Sequence, residues 1–194
     1  MSGRSVCERC HYPLNTCVCD AISRVDNQTF VTVLQDPTEV KHAKNTARLL
    51  PLVLSQCQII VSERFDGLSS LGLSDSIAKH TVVAFPTKGA LSPNELSAQG
   101  HVIRHIILLD GTWRKARKMW LSNSWLHALP AVQLQLESAS QYTIRKSPIT
   151  DGLSTLEAAE QLLQSFEGGD FSPLSRVLNA MQSHWTKHQL DNAQ

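Results

Sequence analysis

Read for its apolar and polar positions, the 194-residue chain breaks into short apolar runs separated by amphipathic stretches. Five runs predict strands: TFVTVLQD (29–36), QCQIIVS (56–62), HTVVAFPT (80–87), HVIRHIILLD (101–110) and AVQLQLES (131–138). They are rich in Val, Ile and Leu. The third and fourth contain nearly continuous apolar runs, the pattern of strands covered on both faces. Helical patterns lie between most of them. EVKHAKNTARLLPLVL (39–54) predicts a helix that Pro51 ends or kinks. SPNELSAQ (92–99) carries a start signal, with Ser92 as N-cap, Pro93 at the first helical position and Glu95 closing a capping box. TWRKARKMWLSNSWL (112–126) predicts a longer helix. A further helix begins near Ser154, where Ser154 and Glu157 form a second capping box, and another spans about 173–189. Strand alternating with helix predicts an α/β domain with a mostly parallel sheet.

Composition adds little to this picture but excludes several alternatives. Apolar residues make up 42% and charged residues 18%, as expected of a globular domain with a proper core. No apolar run approaches the roughly 20 residues of a membrane helix. The opening residues, MSGRSVCERC, lack a signal-peptide core, so the sequence predicts a cytoplasmic protein with reduced thiols. With a formal net charge of +1, any surface for a polyanion must be local. Neither G-x-G-x-x-G after a strand nor G-x-x-x-x-G-K-[ST] occurs, which argues against ordinary dinucleotide and P-loop enzymes.

Four of the five cysteines, Cys7, Cys10, Cys17 and Cys19, follow the pattern C-x2-C-x6-C-x-C. In a reducing compartment such a cluster points to a metal, and four thiolates close a tetrahedral zinc site with no open position for catalysis. An iron–sulfur cluster or an artefactual disulfide are the alternatives, and His11 is a spare ligand candidate. Cys57, inside LVLSQCQIIV, reads as a core thiol.

The fourth apolar run ends on Asp110, followed by Gly111, Thr112 and Trp113 and then by Arg114, Lys115, Arg117 and Lys118. At about 100° per residue, Arg114, Arg117 and Lys118 share one face of the helix, Lys115 stands to the side, and Trp113, Ala116 and Trp120 share an apolar face. No acid lies within the helix to pair with the bases, which favours a phosphate-binding face over a merely solvated one. Asp110 and Thr112 have a plain alternative as helix caps. Ligands of open parallel sheets bind at the carboxyl ends of strands, and polar residues stand there: Gln35, Asp36 and Pro37; Pro86, Thr87 and Lys88; Asp110 and Thr112. Further along, YTIRKSP offers Tyr142, Arg145 and Lys146. The fork of Arg145 suits a carboxylate or phosphate, with an ordinary surface arginine as the alternative.

In this order, the cysteine cluster, LQDPTEVKHAKNTARLL, LLDGTWRKARKMW and YTIRKSPITDGLSTLEA resemble the DTW-domain family, whose D-x-T-W motif is matched by Asp110, Gly111, Thr112 and Trp113. The resemblance covers nearly the whole chain. It implies a zinc-binding segment over 1–25 and a catalytic domain over 26–194 of the SPOUT type, an α/β sheet with a C-terminal knot. It implies transfer of the 3-amino-3-carboxypropyl group of S-adenosylmethionine to N3 of a uridine in tRNA, with release of 5′-methylthioadenosine, by a monomer or a dimer. The implied catalytic residues are Asp110, Thr112 and Trp113. Phe85, Pro86, Leu109, Arg145, Leu153, Ser154 and Thr155 would bind the donor, and Arg114, Lys115, Arg117 and Lys118 the RNA. Relatives often carry His where this chain has Asp36, whose role is left open. Two other classes fit the residues: an S-adenosylmethionine-dependent RNA methyltransferase, and a zinc-containing RNA-binding module without catalysis.

Overall fold

The computed structural model describes residues 5–134 and 153–191. Five strands, β1 (Phe30–Gln35), β2 (Cys57–Val61), β3 (Thr81–Ala84), β4 (His105–Asp110) and β5 (Ala131–Val132), form one parallel sheet in the order β2-β1-β4-β3-β5. Each coincides with an expected apolar run, trimmed at its ends. The run expected to continue to 138 leaves the described residues after Leu134.

The continuous apolar runs are explained by burial on both faces. Val31, Val33, Val82, Ile106 and Leu108 face one core, while Leu34, Val83 and Ile107 face the other. The first core is covered by α1 (Leu50–Val53), α2 (Pro93–Ala98), α4 (Thr155–Glu167) and α5 (Ser172–Asp191). The second is covered by α3 (Trp113–Ser122), through Ala116 and Met119, and by 3-10 turns that supply Leu68, Leu71 and Leu126. Both expected capping boxes are present, Ser92 with Glu95 at α2 and Ser154 with Glu157 at α4. Among the described residues no helix is long and apolar enough to cross a membrane.

The stretch 39–54 corrects the expectation of one helix. It holds a 3-10 turn at Ala47–Leu49 and the four-residue α1, with Pro51 in the first turn rather than at a break. A proline there gives up an N–H that has no helical partner anyway. Upstream, Asn45 competes with the helical ladder: its Nδ2 donates to the Glu39 carbonyl at 2.9 Å and its Oδ1 accepts from the Arg48 N–H at 3.3 Å.

The cysteine segment is built from turns, and its buried side chains Cys10, Tyr12 and Val18 join the first core. The Tyr12 hydroxyl donates to the Asn45 carbonyl at 2.9 Å and lies 3.0 Å from Met181 Sδ on α5.

The topology also places a crevice. The chain leaves β1 towards α1 on the first face and leaves β4 towards α3 on the second. Connections that diverge from adjacent parallel strands open a gap at the strands' carboxyl ends. Gln35 and Asp110 stand opposite each other in register there, closing β1 and β4.

Candidate active site

Asp110 is buried, 9% exposed, and held from two sides. Gln35 Nε2 donates to its Oδ2 at 2.8 Å, and Thr155 Oγ1 donates to its Oδ1 at 2.5 Å. Donors on both oxygens suit an ionised acid, which accepts and does not donate. α3 starts on Thr112 without a side-chain cap, so the capping alternative for Asp110 and Thr112 does not hold. The acid is spent across the sheet, on β1 and on the first residue of α4. The turn leading into α3 is tight. A Cβ on Gly111 would lie 3.0 Å from Lys115 Cβ, close enough that the helix would have to give by a few tenths of an ångström, and 3.6 Å from Asp36 Cβ, an ordinary contact.

Aromatic rings form a column just past the carboxyl end of β3, the strand beside β4. Phe85, just past β3, lies between Trp113 at a centroid distance of 5.2 Å and Trp120 at 5.0 Å, nearly parallel to both. His127 packs on Trp120 at 4.5 Å. Trp113 therefore only partly joins the docking face of α3; it is 40% exposed, while Ala116 and Met119 make the buried contact.

The basic cluster separates into two pairs. Lys115 meets Glu39 at 2.9 Å and Asp36 at 3.7 Å, and also contacts the Thr38 hydroxyl. Lys118 meets Glu63 at 2.6 Å. The acids that the helix lacks thus arrive from the strand-end turns, whose proximity no local pattern reveals. Arg114 and Arg117 are exposed and have no acid partner among the described residues. Asp36 caps the turn after β1 by accepting from the Thr38 N–H at 2.9 Å. Burial works to raise its carboxyl, but the Thr38 hydrogen bonds and then the Lys115 ammonium outweigh it and hold it below the usual carboxylate range.

Of the residues expected to bind a donor, Phe85 is buried in the column, Pro86 is exposed beside it and Leu109 is half-buried. Leu153 leads into α4, whose first turn uses Ser154 as cap and Thr155 as a donor to Asp110. Arg145, with Tyr142 and Lys146, lies outside the described residues. Sequence reasoning named Gln35 as a strand-end residue without giving it a role. Its contact with Asp110 follows from the β1–β4 register, which the sequence does not display.

The four clustered cysteines pass a geometric test for a metal. Cys7 Sγ lies 3.6 Å from Cys19 Sγ and Cys10 Sγ 3.7 Å from Cys17 Sγ, and all four sulfurs fall within 4.8 Å of one another. A tetrahedron with metal–sulfur bonds of ~2.3 Å has edges of about 3.8 Å. Backbone N–H groups of Cys10 and Arg9 lower the Cys7 thiol, whereas burial and the neighbouring sulfurs raise Cys19. Ionising all four sulfurs this close together would require a cation between them. His11 is not part of the cluster. Cys57 is half-buried against the first core, and burial pushes its thiol up to about 12, as befits an inert packing residue.

Comparison with known proteins adds the final observations. The family model for the DTW domain matches residues 4–186. Over 197 aligned residues the chain is 30% identical to a tRNA-uridine aminocarboxypropyltransferase 2 of Drosophila melanogaster, covering 97% of this chain and 76% of that protein. Proteins of the same name from Macaca fascicularis and Mus musculus are 31% and 30% identical over 193 residues, which is 95% of this chain and 65% of each of those proteins. No solved structure gives a significant match.

Proposed function

The chain belongs to the DTW-domain family, and on that premise we propose that it is a tRNA-modifying transferase. It moves the 3-amino-3-carboxypropyl group of S-adenosylmethionine to N3 of a uridine and releases 5′-methylthioadenosine. The observation that carries this reading is Asp110, an acid taken from helix capping and fixed between Gln35 and Thr155 in the strand-end crevice. The family match and the names of the relatives support the choice of reaction.

Uridine N3 is a poor nucleophile while protonated, so a group that accepts or steers its proton is needed. A carboxylate is a weak base for so weak an acid. Proton transfer to Asp110 is therefore coupled to attack: the N3–C bond forms as the C–S bond breaks, and sulfur leaves as a neutral thioether. The sulfonium offers three electrophilic carbons, of which the methyl is the least hindered. Selecting the propyl carbon requires N3 to lie in line behind it, which is a matter of positioning. Arg145 and the start of α4, Leu153 to Thr155, hold the amino-acid tail of the donor. Phe85, Pro86 and Leu109 border its remainder. Trp113, stacked on Phe85 and partly exposed, offers a ring face to a base or to adenine.

Arg114 and Arg117 carry the phosphate contacts, with Lys118 and Lys115 behind them, since each of these lysines already has an acid to satisfy. The cysteine cluster holds zinc, as four sulfurs at tetrahedral spacing suggest. A SPOUT-like fold with a C-terminal knot is consistent with the parallel sheet and with a ligand crevice between β1 and β4. The protein acts in the cytoplasm, as a monomer or a dimer. Mass spectrometry of nucleosides from tRNA incubated with protein and S-adenosylmethionine tests the proposal. Aminocarboxypropyl-uridine with methylthioadenosine is the expected outcome. Methylated uridine with S-adenosylhomocysteine, or no product at all, would overturn it.

A further inference from the structure

Gln35 is 3% exposed and closes β1 directly opposite Asp110. Its side chain makes one hydrogen bond, from Nε2 to Asp110 Oδ2 at 2.8 Å, and no other side-chain partner occurs among the described residues. Asp110, as a carboxylate, has nothing to donate, so the amide must turn its nitrogen towards it. That orientation leaves one amide N–H and the carbonyl Oε1 unspent in a nearly buried side chain. Oε1 is not an orphan sealed in the core, so the crevice reaches it, and unspent capacity beside a reactive acid is a place for a ligand.

We propose that Gln35 reads the edge of the base whose N3 proton Asp110 accepts, an inference that rests on the uridine-transfer reading above. The edge of uracil runs acceptor, donor, acceptor: O2, N3–H, O4. Asp110 takes the N3–H, and the second N–H of Gln35 donates to the flanking carbonyl. Cytosine offers an acceptor at N3, which opposes the carboxylate. Gln35 cannot flip to suit it, because Asp110 locks the amide. The pair therefore selects the imide and, by gripping a neighbouring carbonyl, sets the angle at which N3 meets the donor carbon.

A chemical double-mutant cycle tests this at the mapped target uridine. Gln35→Met keeps the length and removes the amide. Its kcat/KM for tRNA at saturating donor should fall roughly ten- to a hundredfold, with melting temperature and donor binding close to wild type. Replacing uracil O2 or O4 with sulfur weakens that one acceptor and also changes the N3 acidity. The acidity change acts on both enzymes alike. The lost hydrogen bond costs only the wild type, so one of the two thio-substrates should show a markedly smaller penalty with Gln35→Met. Should Gln35→Met not fold, Gln35→Glu carries the same cycle. Equal penalties for both thio-substrates in both enzymes, or wild-type kcat/KM in the variant, would overturn the proposal. Failure of wild-type protein to form aminocarboxypropyl-uridine at all would instead remove the transfer reading itself.

Discussion

At the scale of single residues, His105 shows how completely a buried polar group can be specified. Gln58 on β2 donates to the Thr32 hydroxyl of β1 at 3.1 Å, and Thr32 lies 2.9 Å from His105 Nε2. Thr81 of β3 lies 3.1 Å from His105 Nδ1 and donates its own proton to the Ile77 carbonyl at 2.9 Å. With that proton spent, Thr81 must accept, so Nδ1 carries hydrogen and Nε2 accepts from Thr32. Burial favours the neutral ring and drives its pKa down to about 4. In the unfolded chain the ring titrates near ~6.5, so between these values the unfolded state binds the proton and the native state does not. Stability from this group is present above about 6.5 and is lost as the pH falls towards 4, by on the order of 1.4 kcal/mol per unit. Denaturant midpoints between pH 7 and 4.5 should fall more steeply for wild type than for His105→Gln; parallel slopes would refute the assignment.

Asp110 is the second residue-scale test. Asp110→Asn can still meet Gln35 and Thr155: its oxygen keeps one donor, and the partner facing its NH2 becomes an acceptor, either by a flip of the Gln35 amide or by a turn of the Thr155 hydroxyl. The fold should survive, and an amide cannot take the N3 proton. Turnover should fall by roughly 10²–10⁴, the usual contribution of a general base, with little change in melting temperature. Wild-type turnover in both Asp110→Asn and Asp110→Ala, at saturating donor and tRNA, would rule out a chemical role.

At the scale of elements, α3 divides its labour by face. Ala116 and Met119 dock, Lys115 and Lys118 tie the helix to the turns after β1 and β2, and Arg114 and Arg117 stay outward. If those two arginines meet phosphates, replacing both should lower the salt slope of tRNA binding by roughly two units or less, whereas salt-independent binding would mark them as solvated surface. Gly111→Ala should move this helix, since its Cβ would press on that of Lys115. It should lower turnover without touching any polar group. The same region shows what was legible from sequence. Hydrophobic continuity placed the five strands of the described residues, and the two capping boxes placed α2 and α4, because these signals are local. The failed helix at 39–54 was not legible, because Asn45 spends its side chain on the backbone of Glu39 and Arg48. Nor were Gln35, Glu39 and Glu63 legible as partners of Asp110, Lys115 and Lys118, since each contact depends on strand register or on a turn from another strand.

At the scale of the whole molecule, the question is whether the cysteine segment is an appendage or a part of the core. Cys10, Tyr12 and Val18 pack in the same core as β1, β4, α4 and α5. Tyr12 bridges from the cluster to the Asn45 carbonyl and to Met181, its ring carries the Arg48 guanidinium at 4.9 Å, and burial pushes its phenol up to about 12. A metal that fixes Cys10 therefore also fixes the floor on which Tyr12 sits. If a metal holds the cluster, its removal leaves four sulfurs within 4.8 Å without the charge that draws them together, and the turns between them have little regular structure of their own. Loss of the metal should then propagate through Tyr12 into the contact with α5. The purified protein should carry about one metal per chain. Stripping it with a chelator should lower the melting temperature of the main transition rather than produce a separate early one. Helical ellipticity and tyrosine absorbance should lose their structure together. Cys10→Ser should reproduce the effect without chelator, and Tyr12→Phe, which keeps the ring and removes the hydroxyl, should reproduce a smaller part of it. If a verified metal-free sample melted at the temperature of the loaded one, the cluster would be a passive feature of the surface. If an early transition appeared with the main one unmoved, the segment would be independent of the core it shares.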